Sequence, residues 1–342
     1  MIEPDVQTYY EPKTGTWQYV VADPDTKEAV IIDSVLDFDP ATNQMSTDSA
    51  DKLLAQVKKH GYTVTHILET HAHADHLTAS RYLQTKLHQQ SARRPDICIG
   101  QGIADVQQLF RAWYDIDPAE LEAAFDHTFS DAETFAIGNI QASTLHLPGH
   151  TPDHIGYVIG SNVFTGDSIF NPDVGSARCD FPGGSAKQLY DSAQKLLNLP
   201  PHYRLYTGHD YPPDSRAEVE PGVKELPFTT VAQQRAENKH VKSGTREEDF
   251  VKWRTDRDRF RSPNPPPPSP QSFPKVFLPI SFIAYPPLTF LLCTRSNLAE
   301  PKLLHQALQF NIRGGRLPRP TTEPGFRFLK VPLKKVPDAL LE

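Results

Sequence analysis

From Thr70 to His76 the chain reads Thr-His-Ala-His-Ala-Asp-His, which sets His71, His73, Asp75 and His76 within one short loop. Neutral imidazole and carboxylate are ligands for zinc and for non-haem iron, and a merely capped loop has no use for three histidines in this register. Alternate residues His71 and His73 can aim at one metal, and Asp75 with His76 at a neighbouring one. His150 follows in Leu147-Pro148-Gly149-His150-Thr151-Pro152, a Pro/Gly turn that holds a side chain outward. Its neighbour His154 is expected at the surface or in support of the ligands, because one histidine from this loop completes a site. Phe164-Thr165-Gly166-Asp167-Ser168 sets the Asp167 carboxylate at the end of an apolar strand, where a bound cation would offset the cost of partly burying it. His209 lies in Tyr206-Thr207-Gly208-His209-Asp210-Tyr211, while His202 falls before that strand and is expected at the surface.

These candidates each follow a β-rich run, and the first two hundred residues alternate such runs with amphipathic helical stretches, an α/β (α+β) pattern of sheets covered by helices. Trp17–Val21 and Ala29–Ile32 read as a hairpin across the Asp23-Pro24-Asp25 turn. Leu53, Leu54 and Val57 place a helix over Ala50–His60, which Gly61 closes before a strand at Val64–Leu68. A second helix is expected over Leu77–Leu87 and a third over Ala186–Leu199. Strands are expected at Ile97–Ile99, Glu133–Ile137, Ile140–Leu145, Tyr157–Ile159, Val163–Thr165 and Leu205–Thr207.

At 342 residues, 38% hydrophobic and 23% charged, the chain can bury a sizeable core. A net charge of −7 supplies no basic field for phosphates, so nucleic acid is not an expected partner. Cys98, Cys179 and Cys293 form no CxxC, which indicates neither a disulfide framework nor a thiolate zinc site. The acidic start Met1-Ile-Glu-Pro-Asp5 has neither the order of a secretory signal nor the character of a transit peptide. A cytoplasmic protein is expected, with the mitochondrion left open.

With His71, His73, Asp75, His76, His150, Asp167 and His209 in this order and spacing, the sequence from about Tyr9 to Pro213 resembles the metallo-β-lactamase superfamily. The resemblance implies a four-layer αββα sandwich with metal held at one edge, and it matches Asp33 to a structural aspartate beneath the site. That superfamily hosts both two-zinc hydrolases and one-iron oxygenases, so fold alone does not choose the reaction. The segments Gly175-Ser176-Ala177-Arg178-Cys179-Asp180-Phe181 and His209-Asp210-Tyr211 look like the persulfide dioxygenases, especially the β-lactamase-hydrolase-like type. So do Asn238-Lys239-His240-Val241 and the run from Asn311 to Pro318.

That likeness implies one Fe(II) per chain held by His71, His150 and Asp167, with His73, Asp75, His76 and His209 left for a second site or for orienting the first. It implies oxidation of glutathione persulfide by O2 to sulfite and glutathione, in sulfide detoxification, by a homodimer. It matches Arg178 to the arginine at the glutathione end of the substrate, the alternative being a structural salt bridge. Tyr211 is expected either to hydrogen-bond within the site or to pack as an interior aromatic, and Cys179 to pack. The competing reading is a glyoxalase II-like hydrolase that opens a glutathione thioester with two Zn(II). All seven ligand positions permit it, but the turn after Asp167 departs from that pattern. A catalytically silent binding module would be expected to have lost a ligand.

Residues 262–294 hold ten of the 32 prolines and only Lys275 as a charge. Part of this stretch is apolar enough to raise a transmembrane reading, but Pro279, Pro286 and Pro287 interrupt it, so no membrane partner is expected. Arg257-Asp258-Arg259-Phe260 and Leu298-Ala299-Glu300-Pro301 read as continuous once the intervening residues are removed. The expected organisation is a catalytic domain over 1–260, an anomalous Pro-rich insert over 261–297 that reads as a retained intron or gene-model error ahead of a natural linker, and a segment over 298–342 that completes the domain.

Overall fold

Along Thr16–Ala22 every residue is buried, and alternate side chains enter different cores: Val20 and Ala22 face one, Tyr19 and Val21 the other. Glu28–Ile32 divides in the same way, with Ala29 and Ile31 opposite Val30 and Ile32. A strand covered on both faces reads as a continuous apolar run, which is why these two were legible. The computed structural model describes residues 2–42, 44–91, 93–114, 116–214, 216, 224–259 and 304–317.

The strands are β1 (Asp5–Glu11), β2 (Thr16–Ala22), β3 (Glu28–Ile32), β4 (Val35–Asp39), β5 (Gln44–Ser46), β6 (Thr63–Leu68), β7 (Leu77–Thr78) and β8 (Asp96–Gly100). They continue with β9 (His127–Phe129), β10 (Thr134–Ile137), β11 (Ile140–His146), β12 (Ile155–Ile159), β13 (Asn162–Gly166), β14 (Arg204–Thr207) and β15 (Phe228–Thr230). The helices are α1 (Asp48–His60), α2 (Ser80–Gln90), α3 (Ile103–Tyr114), α4 (Pro118–Leu121), α5 (Ala186–Leu197), α6 (Val231–Glu237), α7 (Glu247–Arg259) and α8 (Leu304–Asn311).

One sheet has the order β1-β2-β3-β6-β8-β9 and the other β10-β11-β12-β13-β14-β15, with a small β5-β4-β7 sheet beside them. Between the two large sheets pack Tyr19, Ile32 and Leu68 against Tyr157, Phe164 and Tyr206. The outer face of the first sheet is covered by α1 and α2 through Leu53, Val57 and Leu83, and that core also takes Ala307 and Phe310 of α8. The outer face of the second takes Leu189, Leu196, Val231 and Phe250 from α5, α6 and α7. The layers are therefore αββα, as the resemblance implied.

The β2–β3 hairpin forms with Ala22 opposite Ala29, and Asp23 closes its turn by accepting from the Asp25 amide at 2.9 Å. Gly61 ends α1 in the left-handed region at φ 68°. The expected helix at Leu77 is corrected: Leu77 and Thr78 pair with β4, and the helix begins at Ser80. In the first sheet β3, β6, β8 and β9 run parallel, so the loops after β3, β6 and β8 leave the same edge. Loops after β11, β13 and β14 reach that edge from the second sheet. Among the described residues no helix is long and apolar enough to cross a membrane; the apolar stretch at 276–294 lies outside them.

Candidate metal centre

The loop after β6 carries His71, His73, Asp75 and His76, the loop after β11 carries His150, and the turns after β13 and β14 carry Asp167 and His209. Donor atoms of His71, His150 and Asp167 all lie within 4.8 Å of one another, as do those of His73, Asp75, His76 and His209. The two groups adjoin: His209 Nε2 is 3.1 Å from Asp75 Oδ2 and 3.6 Å from Asp167 Oδ1. The expected ligands are thus gathered in one place, but the expected sharing of one metal by His71 and His73 is corrected: alternate residues of the loop turn to different groups, His71 to His150 and Asp167, and His73 to Asp75, His76 and His209.

Hydrogen bonds around this cluster decide which nitrogen of each ring keeps a lone pair. The Thr70 hydroxyl has one hydrogen, and Asp33 Oδ2 at 2.9 Å accepts it. His71 Nδ1, 3.0 Å from the same hydroxyl, must then donate, which leaves His71 Nε2 as the acceptor atom. His150 Nδ1 lies 2.7 Å from the Arg178 carbonyl, which only accepts, so His150 Nε2 is likewise free to bind a cation; it is 3.7 Å from Asp167 Oδ2.

His209 is set by a longer relay. Thr14 donates to the Glu11 carboxylate at 2.7 Å, Thr16 donates to Thr14 at 2.7 Å, and Thr16 then accepts from His209 Nδ1 at 3.3 Å. His73 presents its other nitrogen: Nε2 faces Asp33 at 3.2 Å and Glu69 at 3.5 Å, and Nδ1 is turned toward the cluster. His71 Nε2, His73 Nδ1, His76 Nε2, His209 Nε2 and Asp167 Oδ1 are buried without a hydrogen-bond partner. Buried polar atoms cost stability unless something satisfies them, and this donor set is the one a hard or borderline divalent metal satisfies.

Burial and the neighbouring imidazoles hold His71 well below the ordinary histidine range, and burial first of all also lowers His76, so both rings are neutral and ready to coordinate. For His73 burial works in the same sense but loses to the Asp33 carboxylate and its hydrogen bond, which raise it well above. A metal on His73 Nδ1 would therefore displace a proton. Asp33 sits at φ 52°, a left-handed conformation rare outside glycine, and accepts from the Thr70 amide at 2.7 Å. This matches its expected place beneath the site.

His154 was expected at the surface or in support, and it is wholly buried. Its Nε2 accepts from the Asp167 amide at 3.0 Å, its Nδ1 meets Ser168 Oγ at 3.2 Å, and its ring stacks on His71 with centroids 4.6 Å apart. It holds one candidate ligand by the backbone and another by its ring. Gly208 permits the approach of β14, since a Cβ there would lie 2.6 Å from Asp167 Oδ1.

The Arg178 side chain donates to Asp180 from Nε at 2.9 Å and from Nη2, while its carbonyl orients His150. The Tyr211 ring stacks on His209 at a centroid distance of 5.6 Å, is 47% exposed, and its hydroxyl lies 3.5 Å from the Thr14 carbonyl. It is neither interior nor bonded to a candidate ligand. Cys179 packs in the α5–α7 core, and burial pushes its thiol up, away from nucleophilic use. His202 is exposed, as expected. Sequence reasoning missed Glu69, which accepts from Thr78 and Ser80 as well as facing His73, and it gave no role to Asn311.

A Beta-lactamase hydrolase-like protein of Xylella fastidiosa is 38% identical over 98% of this chain, and the chain spans 66% of that relative's length. Glyoxylase B2 of Dictyostelium discoideum is 36% identical over 96% of each. The human mitochondrial persulfide dioxygenase ETHE1 is 30% identical over 59% of this chain and 66% of its own. Among solved structures, ETHE1 from Myxococcus xanthus superposes with a TM-score of 0.61 at 25% identity, over 91% of this chain and all of that one. The model of the Metallo-beta-lactamase superfamily matches residues 12–209, which include every candidate ligand. With the αββα layers and the clustered histidines and aspartates, that match shows that the chain belongs to the metallo-beta-lactamase superfamily.

Proposed function

We propose that the chain is an iron-dependent persulfide dioxygenase, with His71, His150 and Asp167 as the ligands of one Fe(II). The observation that carries this reading is the convergence of two imidazole nitrogens and one carboxylate within 4.8 Å, the two-histidine, one-carboxylate set of mononuclear iron oxygenases. Support comes from the likeness to the human persulfide dioxygenase and to the Myxococcus xanthus structure.

Bound iron would supply open coordination positions together with an accessible redox change, the second of which zinc's closed shell does not offer to dioxygen. The chain's residues hold that site. The Arg178 carbonyl fixes the His150 tautomer, Thr70 fixes that of His71, and His154 anchors the Asp167 backbone. The balanced reaction is glutathione persulfide plus O2 plus water giving glutathione, sulfite and two protons. The sulfur–sulfur bond breaks and the outer sulfur gives four electrons to O2. We assign the Arg178 guanidinium, and Tyr211, whose exposed ring stacks on His209, to the glutathione end of the substrate.

A second reading is favoured by a specific observation: His73, Asp75, His76 and His209 also converge, and could hold a second ion. Two Zn(II) would then activate water against a glutathione thioester. Metal analysis of anaerobically purified protein, with O2 uptake on glutathione persulfide, separates the two. Iron near one per chain with uptake supports the dioxygenase; two zinc ions, no uptake and thioester cleavage overturn it.

A further inference from the structure

The loop bearing His73 and His76 is pinned from a part of the chain more than two hundred residues away, at the end of α8. Asn311 is 4% exposed, and all three hydrogen-bonding capacities of its carboxamide that the loop can use are engaged there. Nδ2 donates to the His73 carbonyl at 2.9 Å and to the His76 carbonyl at 2.8 Å, while Oδ1 accepts from the Thr78 amide at 2.9 Å. A carboxamide has two N–H donors and an oxygen, so one side chain ties three backbone groups of the loop and of β7. Without it, two buried carbonyls and one buried amide would lose these partners.

Asn311 is itself held firmly. The Gly314 amide donates to its carbonyl at 2.9 Å, and Gly314 lies so close to Ala124 that a Cβ would meet the Ala124 carbonyl oxygen at 2.0 Å. Arg313 next to it donates to the buried Glu120 at 2.8 Å, and Gln107 donates to the Ile312 carbonyl at 2.8 Å. The segment therefore docks in one position, and its docking fixes where the carbonyls of His73 and His76 stand.

We propose that Asn311 is a positioning residue of the metal centre, a clamp through which the C-terminal segment sets the spacing of His73 and His76 and so the centre's affinity for metal. The inference rests on the reading of residues 71–76 as a metal loop. The test uses the full chain and Co(II) as the probe, read by competition titration and by its visible absorption. Asn311→Asp keeps the volume and the acceptor but removes both donors, and Asn311→Ala removes all three bonds. Phe310→Leu, on the same helix but in the core under α1 and α2, which takes no residue of 71–76, is the control for lost packing.

The expected result is a fall in Co(II) affinity of roughly 10–100-fold with an altered absorption band for both Asn311 variants. Phe310→Leu is expected to melt earlier in the metal-free state with affinity and band unchanged. A folded Asn311→Asp protein with wild-type affinity and band overturns the clamp alone, as does a Phe310→Leu protein that loses affinity equally. A wild-type chain that binds no Co(II) overturns the metal-loop reading with it.

Discussion

At the scale of single residues the ligands were legible because their chemistry is: histidine and aspartate in tight registers after strands have few other uses. Their supports were not, because support depends on which side of a turn a ring faces. His154 shows this. Nothing in Thr151-Pro152-Asp153-His154 says that the imidazole turns back to accept from the Asp167 amide. Replacing it by phenylalanine fills the space but removes the acceptor. We expect His154→Phe to weaken metal binding on the order of 10–100-fold, as outer partners of metal ligands do; unchanged affinity in a competition titration would remove His154 from that role. Gly208→Ala tests the same carboxylate from the other side. Its new methyl would stand 2.6 Å from Asp167 Oδ1, so the carboxylate must shift, and metal content after gel filtration should fall below that of wild type. Arg178 carried a sequence signal for its guanidinium, yet the contact that reaches a candidate ligand is made by its carbonyl, which every residue possesses.

At the scale of elements, doubly covered strands were legible and the polar helix α7 was not. Its residues Glu247–Arg259 are mostly charged, yet it buries Phe250, Arg254 and Asp258. The buried Arg254 and Asp258 pair holds the turn on either side of Arg178: Arg254 donates to the Ala177 carbonyl at 3.1 Å, and Asp258 accepts from the Cys179 amide at 3.0 Å. His240 holds the start of the same turn, its Nδ1 accepting from the Ser176 amide at 3.0 Å. Burial, then Lys239, Arg254 and Arg257, push His240 down to about 3. The unfolded chain binds this proton near the ordinary value of about 6.5, so the folded state loses ground as pH falls below that value and until about 3 is reached. We expect the urea midpoint of wild type to drop between pH 7 and pH 5 by more than that of His240→Asn. Parallel pH profiles for the two proteins would show that His240 does not contribute to this loss.

At the scale of the whole molecule, the order of the sequence hides how the chain closes on itself. Helix α7 ends at Arg259 and the described residues resume at Leu304, with 261–297 outside them. The returning segment is nonetheless part of the interior: Ala307 and Phe310 enter the core under α1 and α2, and Leu308 and Ile312 the core under α3. Each large apolar side chain so buried stabilises by about 1.5–3 kcal/mol, against a net stability of roughly 5–15 kcal/mol for an ordinary domain. Arg313 and Glu120 add a buried ion pair whose separation at 2.8 Å leaves each costly to strand alone. A chain stopped after residue 260 should therefore lose cooperative melting, since it takes Arg313 away from Glu120 and uncovers both cores. Removing 261–297 alone should do neither, because α7 and α8 keep their packing and Asn311 keeps its hold on His73 and His76. Melting temperature and Co(II) affinity equal to those of the full chain are the expected outcome for that deletion, and sequencing of the mature transcript checks the same boundary at its source. A deletion protein that fails to fold, or binds metal more weakly, would assign 261–297 to the working domain.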